Sequence, residues 1–346
     1  MKFLNVIQKY LFFFVALAIA AGLTVVELSG GFAFTPLICF LAAVLMIYPS
    51  LVPLDLNKLK NIRENYKIIL LSIIFNFLLI PLLAVVIGYF FLSDHPTLWL
   101  GLLLISILPG GGMVTTWASK SKADMAATVS IVLANLLVAI LVAPFFISAA
   151  VGHTIPAVVP HGGFCPIDYA TGGQVSCFLG NAAGQISPWK IALPVLFIIV
   201  IPLLLAYVTQ KQLKKKGEEH FQALKPYFGK FSNLGLVIII FILMSLNNNR
   251  VFLAHPDLIL GSVLPLLLFY GGVLSFSLLV YRIFLRNERG KAFVWGTYLR
   301  YITLALGLTI SLIYQNSGLS VMTVLVILSY FIQIPTSFLV ARHLSD

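Results

Sequence analysis

Charge is the scarcest property of this 346-residue chain: Asp, Glu, Lys and Arg make up 10% of it, against 60% hydrophobic residues and a mean hydropathy of +1.03. A water-soluble globule of this length cannot cover its surface with so few ionic groups, so the bilayer has to be its solvent. Acidic residues are rarer still, 11 in all, and each falls in a predicted loop or at a predicted helix end. With no carboxylate at mid-membrane depth, a proton relay built from carboxylates is disfavoured. The chain also lacks an HExxH motif, a pair of intramembrane aspartates and a Ser/His pair at plausible depth, so no enzyme activity is expected. Of 3 cysteines, Cys39 lies inside a hydrophobic run, while Cys165 and Cys177 share one long polar segment that offers no other metal-site residues.

What the chain has in abundance is long apolar runs. A spanning helix needs roughly 20 mainly apolar residues, and the runs predict helices over 10–28, 31–54, 66–92, 97–119, 123–150, 189–209, 231–248, 257–284, 292–314 and 318–341. The first run leads straight into the second without a small-residue cleavage site, which reads as a retained helix and not a signal peptide. The net charge of +11 would suggest nucleic acid in a soluble protein. Here the cations sit between hydrophobic runs, where they meet anionic headgroups, so membrane lipid is the expected partner and nucleic acid is not.

Ten helices with both termini inside put every Lys and Arg on the cytoplasmic side except Lys190, Arg250 and Arg300. An odd number of helices in either half would scramble that pattern. The expected location is therefore the cytoplasmic (inner) membrane. The segment carrying Cys165 and Cys177 falls on the exterior, where disulfides persist, and the two are read either as a bridge or as free thiols.

The predicted fold class is an all-α integral membrane protein in two inverted five-helix repeats, residues 1–150 and 189–346, joined by an exterior loop over 151–188. Carriers built this way hold substrate near the midplane on discontinuous helices, which directs attention to the fourth helix of each half. Helix four contains Leu108-Pro109-Gly110-Gly111-Gly112. Proline lacks the N–H and glycine loses the most backbone entropy, so the stretch predicts an unwound crossing. Its new half-helix would present free N–H groups, Thr115 and Thr116 to an anion. Close packing of small residues is the alternative reading.

Helix nine carries Arg300, Thr303 and Gly307, with a weaker break signal of one glycine and no proline. Arg300 lies about 14 Å into the bilayer by helix rise, as a substrate ligand or as a side chain snorkelling to the interface. The expected substrate-binding residues are thus Gly110, Gly111, Gly112, Thr115, Thr116, Arg300, Thr303 and Gly307. No cofactor is expected, and Na+ is the candidate coupling ion. With acids absent, its site would be built from neutral oxygens of Asn76, Thr115, Thr128, Asn135 and Gln333, residues that could instead make helix-to-helix hydrogen bonds.

Leu45-Met46-Ile47-Tyr48-Pro49, Asn76, Pro81, Pro109 to Trp117 and Arg300 to Pro335 together resemble the superfamily of arsenite permeases and bile acid:sodium symporters. The likeness extends over almost the whole chain outside the 151–188 loop. The arsenite branch, which the chain resembles around Tyr48-Pro49, Asn76, Pro81 and Ala143-Pro144, has a cysteine where this chain has Gly110. It has carboxylates where this chain has Asn135 and Gln333. Losing the thiol removes the soft ligand that suits arsenic. The symporter branch resembles it through Pro109-Gly110-Gly111 and Lys122 to Val129, with Thr115 and Thr128 in place but Val114 and Val132 where polar groups are expected. The resemblance implies a secondary transporter of a small or organic anion, with arsenite efflux as the rival substrate class and a channel or sensor as the rival mechanism.

Overall fold

The computed structural model describes residues 6–7, 10–32, 36–54, 64–150, 188–246, 256–315 and 321–345. These fold into helices only: α1 (Leu11–Ser29), α2 (Pro36–Leu51), α3 (Tyr66–Ile74), α4 (Ile80–Phe91), α5 (Pro96–Ile107), α6 (Gly112–Lys120), α7 (Met125–Ala149), α8 (Pro188–Lys215), α9 (Glu218–Met244), α10 (Pro256–Phe284), α11 (Glu288–Tyr298), α12 (Ile302–Gln315) and α13 (Met322–Ser345). No strand occurs among the described residues; the sheet-like pairing consists of two isolated bridges.

Among the described residues, seven helical stretches are long and apolar enough to cross a membrane, and Leu41–Leu51 and Pro96–Ile107 are shorter apolar helices. Their outward faces carry large hydrophobics, among them Phe13, Phe90, Leu141, Leu260 and Leu339, each about two-thirds exposed or more. An apolar belt of that extent has hydrocarbon as its natural solvent, so this is a multi-pass membrane protein.

Several predicted boundaries move. The seventh helix was expected from 231 and begins at Glu218, because Gly217 in a left-handed conformation (φ 119°) and Glu218 and Glu219 in the first turn start it earlier. The third predicted helix is interrupted by a π-helical turn, Phe75–Leu79, in which the Ile80 N–H bonds to the Phe75 carbonyl. Pro81 has no N–H for the carbonyl four residues back and its ring crowds it, which widens the turn and turns Asn76 inward. The ninth helix begins at Glu288, where Asn287 caps Gly290 N at 2.8 Å, and is broken in the middle.

Two helix groups emerge from the packing. In the first, α9 packs on α1 and α2, and α8 packs on α2 and α9. In the second, α5 packs on α4 and α13, α7 on α3 and α11, and α10 on α11 and α13. α12 and α7 join the groups by lying against α2 and α8 respectively. Tyr48 OH to Thr209 Oγ1 (2.9 Å) and Gln210 Nε2 to the Val52 carbonyl (2.8 Å) fasten the first group near the end of α2. The second is closed by stacked Trp117 and Trp295 (centroids 5.9 Å apart), with Trp295 Nε1 donating to Ser121 Oγ at 2.6 Å.

Candidate functional site

Between α5 and α6 the chain is extended: Leu108 has φ −98° and ψ 101°, and the next helix starts at Gly112. Between α11 and α12, Leu299 is likewise extended at φ −73° and ψ 134°. The two interruptions cross as an antiparallel bridge between Pro109 and Arg300, with Tyr301 N donating to the Leu108 carbonyl at 3.3 Å. Two helices broken at one point leave four helix ends there, each with backbone groups that its own helix cannot satisfy.

The requirement for glycine at the first break is space. A Cβ at Gly110 would meet the Leu299 carbonyl at 2.8 Å, and one at Gly112 would meet the Ser50 carbonyl at 2.5 Å. None of residues 110–112 has a positive φ, so close backbone approach, and not an unusual dihedral, fixes the residue type.

Arg300 sits in the second break. Its Nη1 donates to the Ser106 carbonyl (3.2 Å), and its Nη2 donates to Asn76 Oδ1 (2.5 Å) and to the Thr297 carbonyl. Asn76 Nδ2 donates to the Gly296 carbonyl at 3.1 Å, so one amide serves both the guanidinium and the end of α11. Gln333 holds the backbone of Arg300 at two points, accepting from its N–H at 2.8 Å and donating to its carbonyl at 3.3 Å. Tyr270 OH also donates to Gln333 Oε1, at 3.2 Å. Arg300, Asn76 and Gln333 are all buried.

Below the crossing a cavity of about 680 Å³ opens between the two helix groups. From the second group it is lined by Gly111, Gly112, Thr115, Thr116, Arg300 and Thr303, all singled out in the sequence. Ser50, Tyr301, Lys120 and Lys225 line it too and were not. Lys120 had a signal, since it follows Thr116 by four residues and so shares its helix face. Tyr301 had adjacency to Arg300, and its hydroxyl pairs with Ser50 Oγ across the groups. Ser50 and Lys225 had none, because only the fold brings their helices to the crossing. No carboxylate is among the described lining residues.

Of the other expected residues, Gln333 also lines the cavity, whereas Gly110, Gly307, Asn76, Thr128 and Asn135 do not. Gly307 is within α12, where a Cβ would meet Ile47 Cδ1 at 3.1 Å and Ala43 Cβ at 3.2 Å; it is a contact with α2, and the break that it was expected to mark lies at Leu299–Tyr301. Gly110 packs into the crossing without lining the cavity. Thr115 Oγ1 bonds to the Gly112 carbonyl at 2.8 Å and Thr128 Oγ1 to the Asp124 carbonyl at 2.7 Å. Asn135 Nδ2 bonds to Ser72 Oγ at 3.0 Å, tying α7 to α3. Cys165 and Cys177 lie outside the described residues. No group of three or more His, Cys, Asp or Glu side chains suited to a metal occurs among the described residues.

The oxygens at the crossing do not fit a bound Na+ as they stand. Asn76 Oδ1 and the Ser106 and Thr297 carbonyls already accept from one guanidinium, and Gln333 Oε1 accepts from two donors. A metal ion added there would face the positive charge of Arg300 at close range.

Residues 40–253 match the family described as the sodium bile acid symporter family. The arsenical-resistance protein Acr3 of Corynebacterium glutamicum is 28% identical over 291 residues, covering 80% of this chain and 72% of that protein. With the family match spanning more than half of the sequence and seven helical stretches of transmembrane length among the described residues, the chain belongs to the sodium bile acid symporter family, and it is a secondary transporter of the superfamily that includes the arsenical-resistance carriers.

Proposed function

We infer that the protein carries a small or organic anion by alternating access, with the cavity beneath the crossing as its substrate site. The observation that carries this reading is the charge of the cavity: Lys120, Lys225 and Arg300 face it together with the first turns of α6 and α12, and no described lining residue is acidic. Half-helix N-termini carry about half a positive charge each, and in a low-dielectric setting that field favours an anion. In this reading the N–H groups at the start of α6 and the hydroxyls of Thr115 and Thr116 contact the substrate. Arg300 adds its charge from the crossing, and its buried Nε has no partner among the described residues. The volume suits an ordinary metabolite, since ligand pockets run from about 300 to 1,000 Å³.

Seven long helices, the shorter α2 and the two broken pairs α5/α6 and α11/α12 make ten passes in this reading, with a break in the fourth of each half. The charge rule puts both termini in the cytoplasm and opens the cavity to that side, because Lys120 and Lys225 belong to inside clusters. It also puts residues 120–122 and 286–291 on one side, and Asp124 and Arg289 meet at 3.5 Å. Alternating access is a rocking of one helix group against the other around the crossing.

Arsenite efflux is the second reading, favoured by the name of the Corynebacterium glutamicum relative. Against it, the described cavity lining contains no cysteine, and arsenite near neutral pH is mostly an uncharged hydroxide that gains little from a positive field. Thermal stabilisation of purified protein by panels of anionic, neutral and cationic solutes tests the reading, because a ligand that prefers the folded state raises its stability. Anions, followed by saturable uptake of the hits into proteoliposomes, are the expected result. Stabilisation by neutral or cationic solutes alone overturns the anion, and arsenic sensitivity of a deletion strain would favour the second reading.

A further inference from the structure

Helices α5 and α11 end at the crossing, bringing the negative ends of two dipoles and their last carbonyls to one point inside the protein. At membrane depth such groups need donors or a cation, because no bulk water reaches them. Half-helix C-terminal ends and unwound carbonyls are also what carriers use to coordinate a driving cation. Here the oxygens that converge are the Ser106 carbonyl from the last turn of α5, the Thr297 carbonyl from the last turn of α11, and Asn76 Oδ1 from the π-helical turn. All three accept from Arg300, which is 3% exposed. A guanidinium stays charged at any accessible pH, and its planar fork can serve several acceptors at once.

The position of that charge is built in from outside. Gln333 clamps the Arg300 backbone from α13, and the bridge to Pro109 fixes it against α5. Two other cations have contacts of their own: Lys291 Nζ donates to the Ser121 carbonyl at 3.3 Å, and Lys120 Nζ lies 4.3 Å from the Trp117 ring centroid at the cavity wall.

We propose that the Arg300 guanidinium is the resident cation of the crossing, occupying the point between the C-terminal ends of α5 and α11 where a coupling ion would bind, so that this carrier needs no Na+ there. The inference rests on the carrier reading and is independent of which solute is carried.

Its test uses the purified full-length protein in detergent with no transported solute, at constant ionic strength, with Na+ exchanged for N-methylglucamine. The wild-type melting temperature is expected to be unchanged by the exchange. Arg300→Ala should melt lower by several degrees and recover part of that loss with Na+ or with millimolar guanidinium, neither of which moves the wild type. A merely structural arginine would give the loss without cation-specific recovery. Arg300→Lys, which keeps a charge, should remain insensitive to Na+. If Arg300→Ala cannot be purified, the wild type and Arg300→Lys decide the matter, and Na+ insensitivity of both supports the proposal. A wild-type melting temperature that falls on removing Na+ overturns it, as does a folded Arg300→Ala that ignores both cations. Because no anion is present, a failure here is distinct from a failure of the solute panel.

Discussion

The break between α5 and α6 carries a proline and three glycines, whereas the break that crosses it, between α11 and α12, reads Leu299-Arg300-Tyr301 and carries neither. Both are short extended segments of similar backbone. The first is favoured locally: Pro109 cannot donate to a helix, and Gly110 and Gly112 admit the Leu299 and Ser50 carbonyls where a side chain would not fit. The second is imposed from a distance by Gln333 on the Arg300 backbone and by carbonyls and Asn76 on its side chain. A backbone interruption can thus be specified by the residues that form it or by partners 33 to 224 positions away, and only the former leaves a local signature.

That difference sets the order of the expected effects. Gln333→Leu takes the Gln333 acceptor from the buried Arg300 N–H and from the Tyr270 hydroxyl, while the Arg300 carbonyl keeps the Ile302 N–H at 3.0 Å, and each unsatisfied group costs about 1–3 kcal/mol. A loss of about 3 kcal/mol is expected in reversible unfolding from mixed micelles, while Pro109→Ala loses much less; equal losses would erase the distinction between remote and local specification. Next comes Gly112→Ala, whose Cβ would press on the Ser50 carbonyl of the opposite helix group. Overpacking of this kind costs about 2 kcal/mol, and here it should abolish uptake with membrane insertion intact. Gly307→Ala, facing the movable end of Ile47, should leave uptake near normal.

A finer contrast lies in the half-helices beyond the breaks. α6 turns Thr115 and Thr116 to the cavity, whereas α12 begins there with Ile302 and Thr303. Joint replacement of Thr115 and Thr116 by Val should weaken the binding of an anionic solute roughly tenfold, as expected for one lost hydrogen bond of about 1.4 kcal/mol. Thr303→Val should weaken it less, and titration of the solute against melting temperature would read both. The smallest effect belongs to the ion pair Arg289–Asp124, which ties the first turn of α11 to the N-cap of α7, with Arg289 about half exposed. Arg289→Ala should change stability by no more than about 0.5 kcal/mol, because exposed pairs gain little over hydration.

The sequence was most legible where local chemistry and outcome coincide. Apolar runs located the helices, Pro109 to Gly112 located one crossing, and a lone buried arginine pointed at the other. Gly307 misled, because a glycine inside a helix marks a close neighbour as readily as a break, and here the neighbour is α2. Asn76 and Gln333 were singled out as ion ligands from their amides alone, and the structure joins both to Arg300. That they would meet it cannot be read from three positions in three separate hydrophobic runs. Ser50 and Lys225 stayed hidden for the same reason, since a cavity between helix groups is a property of their packing.

The bridge between the two breaks also has a consequence for how the chain is made. Ser106 and Arg300, joined by a hydrogen bond, are 194 residues apart, and at synthesis rates of roughly 5–20 residues per second the second follows the first by roughly 10–40 s. Throughout that interval the first half of the protein is in or near the membrane with an unwound segment whose eventual partners do not yet exist. A bare extended stretch is costly in hydrocarbon, so it has to stay at the insertion machinery or near the headgroups until α11 and α12 arrive. Assembly of the crossing is therefore a late, post-insertion event, and substitutions that weaken it should show up first as poor yield of intact protein and prolonged association with the insertase, before any defect in the finished carrier is measurable.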